Sequence, residues 1–306
     1  MKYLITGSEG NIGSSLKDVF AEEKNEDYAC IDIFHKNEAN YKRCDISNIR
    51  QIRKVLDLFQ PKIVINLAGE FGRWNGEDYY ENLWQTNAVG VKNFLELQKE
   101  YKFRFVHASS SEVYGDYKGV MTEEIMEEVP IRQMNDYAIS KWVNEMQISN
   151  SVLMNGTDSV IFRIFNTYGP GETFNEYRSA LSRFIFSILM DLPYKVYSGH
   201  IRTHTYIKDC ARMIKIIADI GKSGEAYNVA GPDKTSMEEV NEMICNIANK
   251  PFKKEFLDSK NEPFTTKVKL VSNAKFMKLV DKEFKFTPLK QGLENTIEWY
   301  RDLLSE

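Results

Sequence analysis

The first half of the chain alternates short apolar runs with stretches of helical periodicity, and this alternation limits the possible folds more than any other feature. The runs are Lys2–Ile5, Ala29–Ile33, Ile63–Leu67, Phe103–His107 and Ser159–Phe162. Between the third and fourth runs, apolar residues recur three and four positions apart, as on one face of a helix. Strands separated by helices cannot pair as hairpins. We therefore predict an α/β fold with a doubly wound parallel sheet, right-handed crossovers and helices on both faces.

A glycine-rich turn joins the first apolar run to the first helix. Gly7, Gly10 and Gly13 are spaced three apart in the segment 6–13. Such glycines allow a tight turn, let backbone N–H groups approach a pyrophosphate and let the helix pack against the strand. Asp32 lies at the end of the second predicted strand. A carboxylate there can accept hydrogen bonds from both hydroxyls of a ribose and would repel a 2′-phosphate. This pattern predicts a Rossmann-type domain that binds NAD rather than NADP.

The regular alternation weakens after Pro170, and single helices such as Met237–Asn249 and Leu289–Leu304 follow. A chain of 306 residues is long enough for two domains of about 100 to 200 residues each. We predict an NAD-binding Rossmann domain over residues 1–167, which also includes about 203–220. Residues 168–306 are predicted to form mainly a smaller, C-terminal substrate-binding domain.

Tyr137 and Lys141 are four residues apart, so on a helix both side chains project from one face. A free phenol has a pKa of about 10, and a neighbouring ammonium group would lower it. We predict that Tyr137 is the general base and that Lys141 also binds the nicotinamide ribose. Ser110, at the end of a predicted strand, would share the proton of the substrate hydroxyl. The same spacing occurs on solvated helix faces, but the upstream nucleotide site favours the catalytic interpretation.

These residues lie in an ordered series of motifs that resembles the extended short-chain dehydrogenase/reductase family, in its nucleotide-sugar epimerase/dehydratase branch. The resemblance covers nearly the whole chain. Besides the glycine turn, the motifs are Cys44-Asp45-Ile46, Asn66-Leu67-Ala68-Gly69, Thr86-Asn87-Ala88-Val89-Gly90, Ser109-Ser110-Ser111-Glu112-Val113-Tyr114-Gly115, Tyr137-Ala138-Ile139-Ser140-Lys141, Arg163-Ile164-Phe165-Asn166-Thr167-Tyr168-Gly169-Pro170 and Arg202-Thr203-His204-Thr205-Tyr206-Ile207-Lys208-Asp209.

The resemblance implies that NAD is the cofactor and that its site extends beyond the glycine turn, with Asp45 matching the family's adenine-contacting aspartate. The predicted cofactor-binding residues are Gly7, Gly10, Asn11, Ile12, Gly13, Asp32, Asp45, Ile46, Leu67, Ala68, Asn87, Tyr137 and Lys141. No metal is expected, because the four cysteines are widely scattered and none has the spacing of a zinc site.

The resemblance also implies a nucleotide-sugar substrate. In relatives, the residues that match Asn166 and Arg202 contact the diphosphate, which suits the planar donors of a guanidinium. The segment Glu70–Gly76 departs from the family pattern, and we predict that it is a loop at the catalytic cleft. A turn-capping Asn166, a surface Arg202 and a purely structural loop are the alternatives. The predicted substrate-binding residues are Glu70, Arg73, Ser111, Asn166, Arg178 and Arg202.

The serine-rich motif bears on the choice of reaction, because epimerisation at C4, 4,6-dehydration and decarboxylation all begin with oxidation at C4. Glu112 is predicted to face the C5–C6 end of the sugar, where it could remove the C5 proton once C4 is a ketone. This favours a nucleotide-sugar 4,6-dehydratase. Many such dehydratases have an aspartic acid before this glutamate, whereas this chain has Ser111. A 4-epimerase, then a decarboxylase, remain alternatives, and a non-catalytic NAD-binding regulatory protein is a more remote one.

The composition bears on partners and location. A net charge of −4 gives no electrostatic attraction for nucleic acid or an anionic membrane surface, so neither is expected as a partner. No segment approaches the roughly 18 consecutive apolar residues of a membrane span, and we expect a cytoplasmic protein.

A homodimer is expected through the helices of Asn87 and Tyr137. The second of these has Ile139, Trp142, Val143 and Met146 at helical spacing, more than one core-facing stripe requires. The alternative is that this stripe packs on the sheet.

Overall fold

Two compact units make up the chain. The computed structural model describes residues 1–253, 257–258, 260, 262–280 and 284–305. The first unit comprises Met1–Val113, Gln133–Ile164 and Ala211–Tyr227, and the second comprises Tyr114–Arg132, Phe165–Cys210 and Asn228–Glu306. The segment Tyr114–Arg132 thus groups with the second unit although it falls within residues 1–167. The division of roles between the two domains stays a prediction.

The chain contains strands and helices that alternate through its first half, and both are numbered in chain order. The strands are β1 Tyr3–Thr6, β2 Tyr28–Asp32, β3 Tyr41–Arg43, β4 Ile63–Asn66, β5 Arg104–Ser110, β6 Val120–Met121, β7 Ser159–Ile164, β8 Thr167–Tyr168, β9 Val196–Tyr197, β10 Ile201–Thr203, β11 Thr205–Tyr206, β12 Ala226–Val229, β13 Lys234–Ser236, β14 Leu257–Asp258 and β15 Leu270–Val271. The α-helices are α1 Asn11–Glu22, α2 Ile49–Phe59, α3 Arg73–Asp78, α4 Tyr80–Leu83, α5 Gly90–Tyr101, α6 Ile125–Glu128, α7 Asp136–Asn155, α8 Ala180–Leu189, α9 Ile207–Ile220, α10 Met237–Ala248, α11 Ala274–Leu279 and α12 Leu289–Ser305. A π-helical turn, Trp84–Val89, joins α4 to α5, and Ser111–Tyr114 is a 3₁₀ turn.

A seven-stranded sheet in the order β12-β7-β5-β4-β1-β2-β3 forms the centre of the fold. The pairings from β7 through β3 are parallel. This confirms the predicted α/β fold with a Rossmann-type sheet. The chain order reverses between β1 and β4, and in open α/β sheets ligands bind at the carboxyl ends of the strands beside such a reversal.

The strands are apolar because helices cover both faces of the sheet. All four residues of β1 and of β4 are buried. The α2 helix buries Ile52, Val55, Leu56 and Phe59, at the three- and four-residue spacing of one helix face. Three aromatic rings, those of Phe94, Phe103 and Phe105, pack together between α5 and the sheet.

The second unit contains short strand pairs and longer helices. The β10 and β13 strands pair antiparallel, whereas β8 pairs with β11 in parallel. A reciprocal cap between Ser236 and Glu239 starts α10. Gly292 lets α12 approach β8, because a Cβ at this position would overlap the Tyr168 hydroxyl. Within the described residues, none of the helices combines the length and the apolar character needed to cross a bilayer.

Candidate functional site

The turn from β1 into α1 requires glycine at two positions. Gly7 has a φ of +65°, and a Cβ there would lie 2.7 Å from the Ala68 backbone nitrogen. A Cβ on Gly13 would overlap the carbonyl oxygen of Gly7. The first turn of α1 therefore lies directly on the end of β1. This close packing is the geometry that the glycine spacing predicts.

The start of α1 fits an anionic ligand. Its N-cap residue is Gly10, and no side chain among the described residues caps the helix. The Asn11 Oδ1 atom, an acceptor, is buried without a hydrogen-bond partner in the described part of the chain, so it can accept from a donor group of a ligand but does not itself bind an anion. The first N–H groups of a helix have no partner within the helix, and the helix dipole favours negative charge at this end. These residues fit the pyrophosphate of a dinucleotide.

Asp32 is the last residue of β2 and lies beside the glycine turn. Its carboxylate accepts hydrogen bonds from the backbone N–H groups of Glu9, at 3.0 Å, and Ile33, at 2.7 Å. These two bonds orient both oxygens and leave lone pairs for further donors. The predicted role, accepting the hydroxyls of an adenosine ribose, is consistent with this position.

Asp45 and Ile46 follow β3. Asp45 has a local hydrogen bond, and Ile46 packs against α5. The exposed Asp45 accepts from the backbone N–H of Ser47 at 2.8 Å, in the turn before α2. Ile46 is buried, and its side chain packs so closely on α5 that a Cβ on Gly90 would lie 2.8 Å from it. The predicted contacts of these two residues with NAD stay predictions.

Ser110, Tyr137 and Lys141 come together at the carboxyl end of β5. The Asn135 side chain caps α7 by accepting from the Ala138 N–H at 2.7 Å, so that the helix begins at Asp136 and carries Tyr137 in its first turn. Ser110 lies beside the Tyr137 phenol, close enough to lower its pKa. Lys141 Nζ donates to the Ala108 carbonyl at 3.0 Å and lies 5.8 Å from the centre of the Tyr137 ring.

The pKa of Tyr137 moves opposite to the direction predicted from Lys141. Burial raises it to about 12, the neighbouring Ser110 hydroxyl lowers it, and the negative charge of Glu112 raises it. Burial lowers the pKa of Lys141 to about 8, and the Glu145 carboxylate opposes this change. The prediction was wrong for the protein without cofactor because desolvation of the phenolate outweighs the help of one ammonium group bound to a backbone carbonyl.

The π-helical turn contains Asn87, whose side chain hydrogen-bonds Glu70 and Ser140, the residue before Lys141. The predicted single helix does bury Leu83, Asn87, Val91 and Phe94, but residues 84–89 are π-helical. Asn87 accepts from the Glu70 N–H at 2.8 Å and donates to its carbonyl and to the Ser140 hydroxyl. The Asn87 amide thus ties the end of β4 to α7, and its predicted contact with the cofactor stays a prediction. Single π turns often occur at functional sites.

Two buried polar groups that the sequence analysis did not assign support the same region. Asn66 accepts from the Thr6 hydroxyl at 2.6 Å, and its amide nitrogen lies 3.1 Å from His107 Nδ1. Burial holds the pKa of His107 well below its usual value, so the ring is neutral. Arg163 forms a buried ion pair with Glu145 at 2.7 Å. Asn66 and Arg163 begin two of the family motifs, but the partners of these residues are distant in the chain and could not be read from the local sequence.

The loop after β5 contains the two residues that bear on the reaction. Glu112 is partly buried, its backbone N–H donates to the Ser110 hydroxyl at 3.2 Å, and its charge acts on Tyr137. Ser111 is almost completely buried. The structure therefore groups Glu112 with Ser110 and Tyr137.

The segment predicted as a loop after β4 is largely helical, which corrects that prediction. Residues 73–78 form α3, and Gly76 on this helix packs against α7, since a Cβ there would lie 3.1 Å from Tyr137 Cβ. Glu70 accepts from the Asn75 side chain at 3.1 Å. Glu70 and Arg73 are both partly exposed, and their predicted contacts with the sugar stay predictions.

The remaining predicted substrate residues belong to the second unit. Asn166, which has a φ of +28°, donates to the Thr203 carbonyl at 3.1 Å. Arg202 is 7% exposed; its Nη1 donates to two backbone carbonyls and its Nη2 lies 3.5 Å from the Glu262 carboxylate. Arg178 is partly exposed in the turn before α8. The described residues contain no group of three side chains that could hold a metal ion.

The fold and these motifs define a class of proteins, and comparison with known families identifies it. Residues 3–230 match the NAD dependent epimerase/dehydratase family. The chain belongs to this family, whose members are NAD-dependent, extended short-chain dehydrogenase/reductase enzymes that act on nucleotide sugars.

Three relatives with different activities resemble the chain over nearly its whole length. It is 25% identical to a dTDP-glucose 4,6-dehydratase of Salmonella typhimurium, covering 98% of this chain and 92% of the relative. It is 28% identical to a UDP-N-acetyl-alpha-D-glucosaminuronate decarboxylase of Bacillus cytotoxicus, covering 98% of both. The solved UDP-glucuronic acid 4-epimerase of Bacillus cereus, in complex with UDP-glucuronic acid and NAD, is 25% identical with a TM-score of 0.84, covering 99% and 100%. These similarities establish the family. Because the three relatives catalyse different reactions, the reaction of this chain has to be inferred from its site residues.

Proposed function

We propose that this protein binds NAD and modifies a nucleotide sugar by reversible oxidation at C4, and that its particular reaction is a 4,6-dehydration. The observation that carries the proposal is the grouping of Ser110, Glu112 and Tyr137 at the end of β5, with Lys141 one helical turn from Tyr137. The glycine turn and Asp32 would hold the cofactor, which when bound accepts a hydride from C4.

In this proposal Tyr137 and Ser110 manage the proton on the C4 hydroxyl. The two hydroxyls are neighbours, so one can bind the substrate oxygen while the other takes its proton. Because the pKa of Tyr137 is about 12 in the protein alone, the phenol is protonated at neutral pH. Positive charge at the site must therefore increase before Tyr137 can act as a base. Lys141, buried and bound to the Ala108 carbonyl, is the nearest fixed source of such charge on α7.

Glu112 would carry the step that distinguishes dehydration from epimerisation. A ketone at C4 acidifies the C5 proton, and a carboxylate close to Tyr137 is placed to remove it. Loss of hydroxide from C6 then completes the elimination of water, with the proton held by Glu112 available to the leaving oxygen. The hydride taken from C4 would return to C6 and a solvent proton would add at C5, so that the product is the substrate less one water and keeps the ketone at C4. An epimerase has no need of a base at C5.

A decarboxylase is the second candidate, and Ser111 favours it. A 4-keto sugar acid loses carbon dioxide from C5 without an acid at C6, and the buried Ser111 cannot act as a strong acid there. The Ser111-Glu112 pair resembles both the GDP-mannose dehydratases and the UDP-glucuronate decarboxylases of the family. In the proposed dehydratase, Glu112 alone must supply both the base and the acid.

Turnover in deuterated water distinguishes these reactions. We expect a panel of nucleotide sugars to reveal a substrate whose product has lost one water, which is 18 mass units in ordinary water and 17 in deuterated water, because deuterium is gained at C5. Glu112→Gln should abolish this product. Glu127→Gln, on the exposed part of α6, is the matched control and should retain full activity.

Other products would overturn the dehydratase proposal. An unlabelled C4 epimer formed at an undiminished rate by Glu112→Gln would establish an epimerase, and release of carbon dioxide from a sugar acid would establish a decarboxylase. A protein that binds NAD and never forms NADH with any nucleotide sugar would overturn the proposed oxidation itself.

A further inference from the structure

A glutamate in the glycine turn, Glu9, has contacts that the cofactor site described above does not use. Its carboxylate forms ion pairs with Lys17 of α1, at 2.7 Å, and with Lys36, in the segment after β2. Its backbone N–H donates to the Asp32 carboxylate at 3.0 Å. Glu9 is therefore joined to Asp32 through its backbone and to two lysines through its side chain.

Glu9 is the main partner of Lys36. The Glu9 side chain is 14% exposed, whereas Glu38, the second carboxylate near Lys36, lies 3.8 Å away and is 55% exposed. Ion pairs that are exposed and long contribute little, so the pair with Glu9 dominates. Burial acts against ionisation of Glu9, but hydrogen bonds from Lys17 and Lys36 lower its pKa overall. At neutral pH the carboxylate and both ammonium groups are charged.

This cluster lies where it can affect the choice between NAD and NADP. In a Rossmann-type site the carboxylate that ends the second strand accepts the adenosine 2′-hydroxyl, and a nearby cation accommodates the phosphate that NADP carries there. Lys36 lies four residues beyond Asp32 and is a cation of this kind. Lys36 and Lys17 share ion pairs with the one Glu9 carboxylate, so a phosphate would have to compete with Glu9 for either lysine.

We propose that Glu9 is a second determinant of cofactor choice, which excludes NADP by holding Lys36 and Lys17 in ion pairs beside the Asp32 carboxylate. The proposal rests on the proposed NAD site but not on the reaction at the sugar. Glu9 is joined to both ammonium groups, whereas Glu38 lies near Lys36 alone, at 3.8 Å. Removing the charge of Glu9 therefore takes its ion pair from each lysine and makes both available to a phosphate.

The test is calorimetric titration of the cofactor-free protein with NAD and with NADP. For Glu9→Gln we expect NADP to bind about tenfold more tightly, the effect of one charge interaction of about 1.4 kcal/mol near the protein surface, and NAD to bind within about threefold of its original affinity. In Glu9→Gln/Lys36→Gln the gain should be largely lost. Glu38→Gln is the matched control, because it removes the exposed partner of the same lysine, and its affinity ratio should stay within about twofold of the original.

Each other outcome overturns a defined part of the argument. Unchanged NADP affinity in Glu9→Gln, with NAD affinity retained, overturns the role of Glu9. A gain that persists without Lys36 overturns the assignment to that lysine. If Glu9→Gln loses affinity for both dinucleotides, Glu9→Ser is titrated next, and a loss of NAD binding there as well shows that Glu9 only supports the turn. Wild-type protein that binds neither NAD nor NADP overturns the proposed cofactor site and this proposal together.

Discussion

The Glu77 carboxylate accepts a hydrogen bond from the backbone N–H of Asp136 at 2.9 Å. Asp136 is the first residue of α7 and immediately precedes Tyr137. One residue before Glu77, Gly76 packs against the Tyr137 backbone and Cβ at distances that leave no room for a side chain. The short α3 helix thus fixes the end of α7 that carries the proposed base.

This contact makes Gly76 and Glu77 positioning residues for Tyr137. A Cβ at Gly76 would lie 3.1 Å from Tyr137 Cβ and 3.3 Å from its backbone nitrogen, so Gly76→Ala must push the start of α7 away by a few tenths of an ångström. We expect kcat to fall about tenfold, since displacement of a reacting group by 1 Å can cost about 100-fold, while NAD affinity and KM change by less than about threefold.

Glu77→Gln should have a smaller effect of the same kind, because the amide oxygen can still accept from Asp136 but carries no charge at the helix start. The control is Glu81→Gln, an exposed carboxylate on α4. Equal losses of kcat and NAD affinity in Gly76→Ala would indicate a general loss of structure and contradict a specific effect on Tyr137.

Tyr137→Phe is predicted to lose at least about 100-fold in turnover, the lower range for a removed acid–base group, and to retain NAD and substrate affinity. The substitution removes the hydroxyl beside Ser110 and leaves the ring in place. Steady-state kinetics and calorimetry measure the two effects. Tyr80→Phe, which alters an exposed ring on α4, is the control and should leave turnover and both affinities unchanged. Undiminished turnover in Tyr137→Phe would refute its role as the base.

The parallel fold and the ends of its strands could be predicted from the sequence, because both depend on local patterns. Asp32 and Ser110 are the last residues of β2 and β5, as the apolar runs and their polar ends predict. Glycine at positions 7 and 13 has the steric cause that the spacing predicts. All these features need only neighbours in the chain and the rule that parallel strands end at one edge.

Contacts between distant segments could not be predicted in the same way. The π-helical turn exists where Asn87 bonds Glu70 and Ser140, which no periodicity of residues 83–97 reveals. The sign of the Tyr137 pKa shift depends on how deeply α7 buries the phenol. The ion pairs of Glu9 join three segments that are far apart in sequence. In each case the tertiary packing, and not the residue's local pattern, sets its environment.

The depressed pKa of Lys141 predicts a dependence of stability on pH. The folded protein has this pKa at about 8, below the ordinary value of 10.5, so between these limits the unfolded chain binds more protons than the folded protein. Stability contributed by Lys141 therefore rises as the pH increases through this window. From pH 8 to 9.5 the rise amounts to about 2 kcal/mol, from about 1.36 kcal/mol per unit.

Urea unfolding of the wild type and of Lys141→Met at pH 8 and pH 9.5 measures this contribution. Other groups titrate in both proteins and cancel in the difference. The free energy of unfolding of the wild type should gain on that of the variant by about 2 kcal/mol over the interval. A difference that is constant across the two pH values would show that Lys141 is charged in the folded protein throughout.

The outer face of α7 predicts the oligomeric state. Of the predicted stripe, Ile139 and Met146 are 37% and 48% exposed and Trp142 and Val143 are partly buried, so the stripe as a whole does not pack on the sheet. Leu153, seven residues after Met146, is 80% exposed. Val89, at the end of the π-helical turn, is 41% exposed. Apolar residues that recur every seven positions form one seam along a helix, and a symmetric contact between two copies would bury it.

We therefore predict a homodimer that pairs the α7 helices, with twice the monomer mass by light scattering at micromolar concentration. Met146→Asp/Leu153→Asp should convert it to a monomer, because each carboxylate would lose its hydration at the centre of the contact. The sheet and the residues around Tyr137 lie on the other side of α7, so the variant should keep its thermal unfolding transition and its affinity for NAD. Leu58→Asp, which places the same charge on an exposed leucine of α2, is the control and should stay dimeric. A wild-type monomer, or a dimer that survives both substitutions on α7, would contradict this interface.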